Sequence, residues 1–320
     1  MKTLLKILVA LIIMSVTTEH IQAQNLVPNP SFEDTVNCPQ FLGIDVLADW
    51  SFYRGTPDYF HNCSPVLGYN NSWGFQFPNS GEAYCGIATY HTSITNAREH
   101  LGVQLITPLV IGAKYYVSFF VSTSFNSFGN NIATNKLGAL VSMSSYSDPS
   151  GSVPLPNSST IWTDSIINDT LNWIKITGSF TADSSYQYFS VGTFFDDNNI
   201  DTNHIPNQNP PNVGLYYIDD VCLSTDSNYC STWTSVDENQ IDENQIKLFP
   251  NPTNDVIHVS SKTKMDNIQI FNSLGQIIYY KKFVKKRKVK IPMRKYRNGI
   301  YFIRINSDKK IHNSKILLTH

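Results

Sequence analysis

Lys114-Tyr115-Tyr116-Val117-Ser118-Phe119-Phe120-Val121-Ser122-Thr123-Ser124 decides the fold class. Tyr115, Val117, Phe119 and Val121 alternate with Tyr116, Ser118, Phe120 and Ser122, and a period of two in β-branched and aromatic residues is a strand. Leu137 to Ser144, Trp173 to Phe180, Tyr186 to Phe195 and Leu215 to Leu223 repeat the pattern. Clusters of Gly, Pro, Asn and Ser separate them, notably Pro149 to Ser159 and Asp196 to Val213. Short strands between long polar loops predict an antiparallel sandwich, and no helix of ordinary length with an apolar stripe competes with it.

Outward from that stretch, charge divides the chain. Gln24 to Cys230 holds 5 Lys/Arg against 17 Asp/Glu, whereas Lys247 to His320 holds 17 against 3. The overall charge of −1 hides this asymmetry, which marks a domain boundary. Between the halves Asp237-Glu238-Asn239-Gln240-Ile241 is repeated at once as Asp242-Glu243-Asn244-Gln245-Ile246, a polar tandem suited to a linker over 231–246. Before the first domain, Lys2 and Lys6, the apolar run Ile7 to Met14 and a small residue at Ala23 read as a signal peptide over 1–23. That run is too short to span a bilayer, and no later stretch is longer. The expected domains are 24–230 and 247–320.

An exported chain meets an oxidising compartment, so the five cysteines are expected to pair with one left over. Cys85 lies in the apolar run Ala83 to Ala88 and reads as a small buried hydrophobe. Cys38 with Cys63 and Cys222 with Cys230 are then the preferred pairs.

The last 74 residues are also strand-like: Val256 to Ser260, Asn267 to Phe271, Ile277 to Tyr280, Val289 to Ile291, Ile300 to Ile305 and Ile311 to Leu318. Such spacing suits a small immunoglobulin-like sandwich. Three motifs then carry a resemblance. Lys247-Leu248-Phe249-Pro250-Asn251-Pro252-Thr253-Asn254-Asp255, Ile270-Phe271-Asn272-Ser273-Leu274-Gly275-Gln276 and Asn298-Gly299-Ile300-Tyr301-Phe302-Ile303-Arg304-Ile305 precede a basic-apolar tail. In order and spacing they resemble the type A C-terminal sorting domain of the type IX secretion system of Bacteroidetes. The resemblance implies that the secretion machinery is a partner and that the chain passes through the periplasm to the outer-membrane surface or beyond. Lys281 to Lys290 is read as a solvated hairpin face, and no nucleic-acid partner is expected.

The first domain carries a looser resemblance. Asn25-Leu26-Val27-Pro28-Asn29-Pro30-Ser31-Phe32-Glu33, followed by Trp50, is similar to the opening of galactose-binding-like jelly rolls, the fold of many carbohydrate-binding modules. Leu215-Tyr216-Tyr217-Ile218-Asp219-Asp220-Val221 is similar to their closing strand. This implies an all-β chain: a jelly-roll β-sandwich followed by a small immunoglobulin-like sorting domain. It also implies a structural calcium ion tying the opening to the closing strand, with Glu33, Asp219 and Asp220 in the matching positions and oxygen ligands suited to that ion. Because alternate strand residues face opposite ways, only one of Asp219 and Asp220 is expected to point inward.

No Gly-x-Ser-x-Gly, His-Glu-x-x-His or phosphate loop is present, and a non-catalytic binding module is expected. Trp50 to Tyr90 is dense in aromatics. Trp50 is the first choice for core; Tyr59, Trp73 and Tyr90, with polar or turn-forming neighbours, are the candidates for an exposed sugar platform. His61, Arg98 and Glu99, with Asp58 and Asn71, are the candidate polar contacts. Two alternatives stand beside carbohydrate binding: a structural or adhesive surface protein without a small ligand, and a glycan hydrolase using Glu82 and Glu99.

Overall fold

The computed structural model describes residues 24–125, 129–149, 159–170, 172–205, 212–232, 246–272, 276–307 and 310–320. The expected signal peptide, and all of the expected linker except 231–232 and 246, lie outside them.

Two five-stranded antiparallel sheets face each other in the first domain. One runs β1 (Trp50–Arg54), β6 (His100–Gln104), β12 (Tyr188–Thr193), β9 (Leu137–Ser142), β10 (Ile161–Trp162). The other runs β11 (Ile174–Thr181), β7 (Lys114–Thr123), β14 (Val213–Ser224), β5 (Ala83–His91), β2 (Asp58–His61). Two ribbons complete it: β3 (Asn70–Asn71) with β4 (Gly74–Phe75), and β8 (Ile132–Thr134) with β13 (Thr202–His204).

The alternation along β7 is the one read from the sequence. Tyr115, Val117, Phe119 and Val121 enter the core between the sheets, meeting Leu101, Val103, Phe189 and Val191 of the facing one. Trp50 is core as expected, its indole N–H donating to the Asn29 carbonyl at 2.9 Å. The opening segment lies against the closing strand: the Leu26 amide donates to the Leu223 carbonyl and the Val221 amide to the Pro30 carbonyl.

Both expected disulfides form, with Cα–Cα distances of 5.9 Å for Cys38–Cys63 and 5.6 Å for Cys222–Cys230, inside the range a disulfide requires. Cys85 is free and buried. The second bridge ties the helix α1 (Ser227–Thr232) to β14, and Lys175 Nζ donates to the carbonyls of Cys230 and Ser231 at its end, where a cation suits the helix dipole.

The C-terminal domain is built on β15 (Ile246–Phe249), β16 (Val256–Phe271), β17 (Ile277–Pro292), β18 (Gly299–Ser307) and β19 (Lys310–Leu318). The strands predicted at Val256 to Ser260 and Asn267 to Phe271 are one strand, β16, whose pairing shifts register between Ser260 and Met265. Ile257 and Val259 from its first half and Ile268 and Ile270 from its second share one core with Ile303 and Ile316. The Thr253–Leu318 bridge joins the last strand back to the start of the domain.

Candidate functional site

A cleft of ≈ 440 Å³ opens between the loop at Leu42–Asp45, the start of β2 and the turn before β6. Three features of the chain build it. The Cys38–Cys63 bridge fastens the loop carrying Leu42 and Gly43 close to β2. Gly55 turns tightly with φ +65°, and a Cβ there would lie 2.6 Å from Glu99 Cγ, so only glycine lets the chain pass over that side chain. Asn71 Oδ1 accepts the Trp73 amide at 2.9 Å, fixing the ribbon that presents the indole.

Asp58 and Glu99 are the cleft's two carboxylates. Asp58 Oδ2 accepts the indole N–H of Trp73 at 2.6 Å, and Oδ1 accepts the Gly43 amide at 2.9 Å. Burial, then repulsion from Glu99, pushes its pKa up to about 7 against these two bonds. Glu99 Oε1 accepts the amide and hydroxyl of Thr56, and Oε2 accepts the Ala88 amide at 2.8 Å. Burial raises its pKa too. Both Asp58 oxygens and Glu99 Oε2 accept one bond each and keep a second lone pair toward a ligand hydroxyl, whereas Thr56 takes both lone pairs of Glu99 Oε1. Leu42, Ile44, Phe52, Val213 and Leu215 supply apolar wall, and half-buried His91 also lines the cleft.

Of the six residues proposed from sequence for ligand contact, Trp73 and Glu99 line this cleft. Tyr59, expected at the surface, is instead fully buried: its ring faces the inter-sheet core and its hydroxyl donates to the Phe32 carbonyl at 2.9 Å. Arg98 is buried as well, its guanidinium held by Asp197 at 2.8 Å and by the carbonyls of Phe195 and Ala97. His61 is half-buried at the far end of β2, Nδ1 accepting the Cys63 amide. Tyr90 is half-buried on β5 opposite Gly214. Neither His61 nor Tyr90 lines the cleft. Glu82, the suggested partner of Glu99, instead accepts from Asn62 and Tyr69 away from it. Asp58 takes that place.

The three expected calcium ligands take their hydrogen bonds from one short stretch, residues 79–83. Glu33 Oε1 accepts the amides of Glu82 and Ala83; Asp219 Oδ2 accepts those of Asn79 and Ser80; Asp220 accepts the side chains of Asn79 and Ser80. Burial raises the pKa of all three, and repulsion from Asp220 adds to the shifts of Asp219 and Glu33. Both aspartates are buried, contrary to the alternation argument, because Asp220 adopts φ +52° and the pairing with β7 shifts register between Asp219 and Cys222. Among the described residues no three His, Cys, Asp or Glu side chains are grouped so as to hold a metal ion, so these carboxylates form no ready cage.

Compared with known proteins, residues 247–319 match the family described as the secretion system C-terminal sorting domain. No curated protein matches the chain. Among solved structures, the chain is similar to the CBM22-1–GH10 modules of endo-1,4-beta-D-xylanase 10B from Clostridium thermocellum. The identity is 13%, the TM-score 0.33 and the match covers 65% of this chain, but it spans only 29% of that one. The CBM22-1 xylan-binding domain of Paenibacillus barcinonensis Xyn10C is 12% identical, TM-score 0.30, over 61% of this chain and 90% of that one. The K3 cleaved adhesin domain of Lys-gingipain from Porphyromonas gingivalis is 10% identical, TM-score 0.32, over 61% and 97%. Likenesses this distant say nothing about ligand.

Proposed function

Because residues 247–319 are a secretion-system C-terminal sorting domain, which places the chain at the cell surface or outside the cell, we propose that the first domain binds carbohydrate there. The observation that supports this reading is the cleft itself: two desolvated carboxylates and an indole set against an apolar wall. A sugar ring offers an apolar C–H face and hydroxyl donors, and a site for it needs both kinds of surface. Asp58 and Glu99 are the proposed hydroxyl acceptors; Trp73 and the aliphatic wall are the proposed ring contacts. A glycan array probed with residues 24–320 tests it. Binding to a defined glycan that falls with Glu99→Gln supports the reading, and an empty array removes it.

One observation favours a hydrolase as second reading. Burial and the neighbouring Glu99 push the Asp58 pKa up to about 7, and a raised carboxyl beside a second carboxylate is one requirement for acid–base work on a glycosidic bond. Against it, every carboxylate oxygen of the pair already accepts a protein N–H, which blunts a nucleophile. Incubating the bound glycan with wild type and Asp58→Asn decides between them: an intact glycan leaves binding alone.

Calcium at Glu33, Asp219 and Asp220 is a further proposal, supported by the repulsion that buried Asp219 feels from Asp220 and Glu33, which a cation would relieve. A melting temperature that falls on adding chelator supports it, and an unchanged one removes it.

A further inference from the structure

The outer face of β18 carries two large apolar side chains, Ile300 and Phe302, where a domain that stood alone would present polar groups. Tyr301, Ile303 and Ile305 enter the C-terminal domain's own core, so by the period of a strand Ile300, Phe302 and Arg304 point the other way. Yet Phe302 is only 4% exposed. It packs in one cluster with Tyr69, Phe77 and Tyr217 of the first domain, and Phe271 and Ile300 pack against the same cluster.

The contact is specific in geometry. The Phe302 ring centroid lies 3.8 Å from that of Phe75 and 5.9 Å from that of Phe77, and Phe271 lies 5.9 Å from Phe77. The Arg304 guanidinium sits 4.8 Å over the Tyr69 ring and 5.0 Å over Phe77, within cation–π range. Cross-strand register aligns Phe271, Phe302 and Lys315 in one row, and Lys315 Nζ donates to the Thr170 carbonyl at 2.7 Å. Charge adds a long-range attraction, since 5 Lys/Arg against 17 Asp/Glu in Gln24–Cys230 face 17 against 3 in Lys247–His320.

We propose that this face is a docking surface for the first domain, so that the sorting domain caps the Tyr69–Phe75–Phe77 platform and stays bound to it without the linker. Its occupant is the C-terminal domain of the same chain. Two consequences follow from the geometry, whatever the cleft binds. Cutting the chain between the domains does not by itself release the sorting domain. Release, when it comes, uncovers Phe75 of the ribbon that carries Trp73 and the flanking rings of Tyr69 and Phe77.

The test uses the full chain with a specific protease site placed within residues 233–245. After cutting, the two halves of the wild type are expected to co-elute on size exclusion, and those of Phe302→Asp to separate. Wild-type halves that separate overturn the proposal, and so do Phe302→Asp halves that stay together. Hydrogen exchange on the uncut chain gives a reading that does not need stable fragments. Faster exchange at Asn70–Phe77 in Phe302→Asp, with protection of β16 and β19 retained, supports docking; unchanged exchange at Asn70–Phe77 overturns it.

Discussion

Strand β14 of the first domain is buried along almost its whole length, whereas β16 of the C-terminal domain alternates between buried and half-buried or exposed positions. Both are long strands at the middle of antiparallel sheets, so pairing does not explain the difference. What differs is the number of faces that are covered. Tyr216 and Ile218 of β14 look into the inter-sheet core, and Tyr217 looks the other way into an aromatic cluster with Phe60 and Tyr84. In β16, Ile257, Val259, Ile268 and Ile270 face one core, and the other side is half-buried or exposed, with Phe271 packed against the first domain. A strand buried on both sides reports something seated over the sheet: here loops, the Asn70–Phe75 ribbon and the docked sorting domain.

The largest expected effect comes from removing an aromatic on the outward side of β14. Tyr217→Ala is expected to destabilise the first domain by roughly 3–5 kcal/mol, comparable to large-to-small changes inside a core. An unfolding free energy from chemical denaturation that falls by less than roughly 1 kcal/mol would show that the second face is only lightly covered. In the C-terminal domain, Ile291→Ala is expected to cost roughly 2–5 kcal/mol while its exposed neighbour Lys290→Ala stays within roughly 0.5 kcal/mol. A similar cost for both would contradict the single-faced reading.

A second contrast is electrostatic. Burial raises the pKa of Asp58, Glu33, Glu99, Asp219 and Asp220 in the first domain. A carboxylic acid whose folded pKa lies above its unfolded value holds its proton more tightly when folded, so its stabilising contribution is full below the unfolded pKa and is lost as pH rises through the folded one. For Asp58 that window runs from 3.8 to about 7. Buried His100, whose pKa is lowered to about 3, works the other way, losing stability as pH falls below 6.5, so the Asp58 contribution is read by difference. Going from pH 8 to pH 5 is expected to favour wild type over Asp58→Asn by a few degrees, taking roughly 2–4 °C per kcal/mol. A melting-temperature difference between the two that does not change with pH would contradict the raised pKa of Asp58. The smallest effect is expected on the basic face: Lys288→Ala should leave the unfolding free energy within roughly 0.5 kcal/mol.

The strands were legible because alternation survives wherever one face of a sheet meets a core, as along Lys114–Thr123. Both disulfides were legible too, once Cys85 was set aside by its apolar neighbours. The candidate site was legible only in part. Trp73 and Glu99 were picked out by composition, but Tyr59 has the same polar neighbours and is core, because β2 turns that ring inward. Asp58 entered only as one of several polar candidates; its weight comes from a Trp73 bond and a Glu99 repulsion that the fold alone supplies. The one signal for the docking face lay in Ile300-Tyr301-Phe302-Ile303, where aliphatic and aromatic residues occupy both parities of a strand. A half-solvated strand has no reason to carry that pattern.

The most direct test of the central claim, a carbohydrate-binding cleft at Asp58, Trp73 and Glu99, is titration calorimetry of residues 24–320 with the strongest array glycan. Wild type is expected to bind, and Trp73→Ala and Glu99→Gln each to weaken binding by at least roughly tenfold, about 1.4 kcal/mol, with melting transitions intact. Wild-type affinity in both variants would contradict the claim.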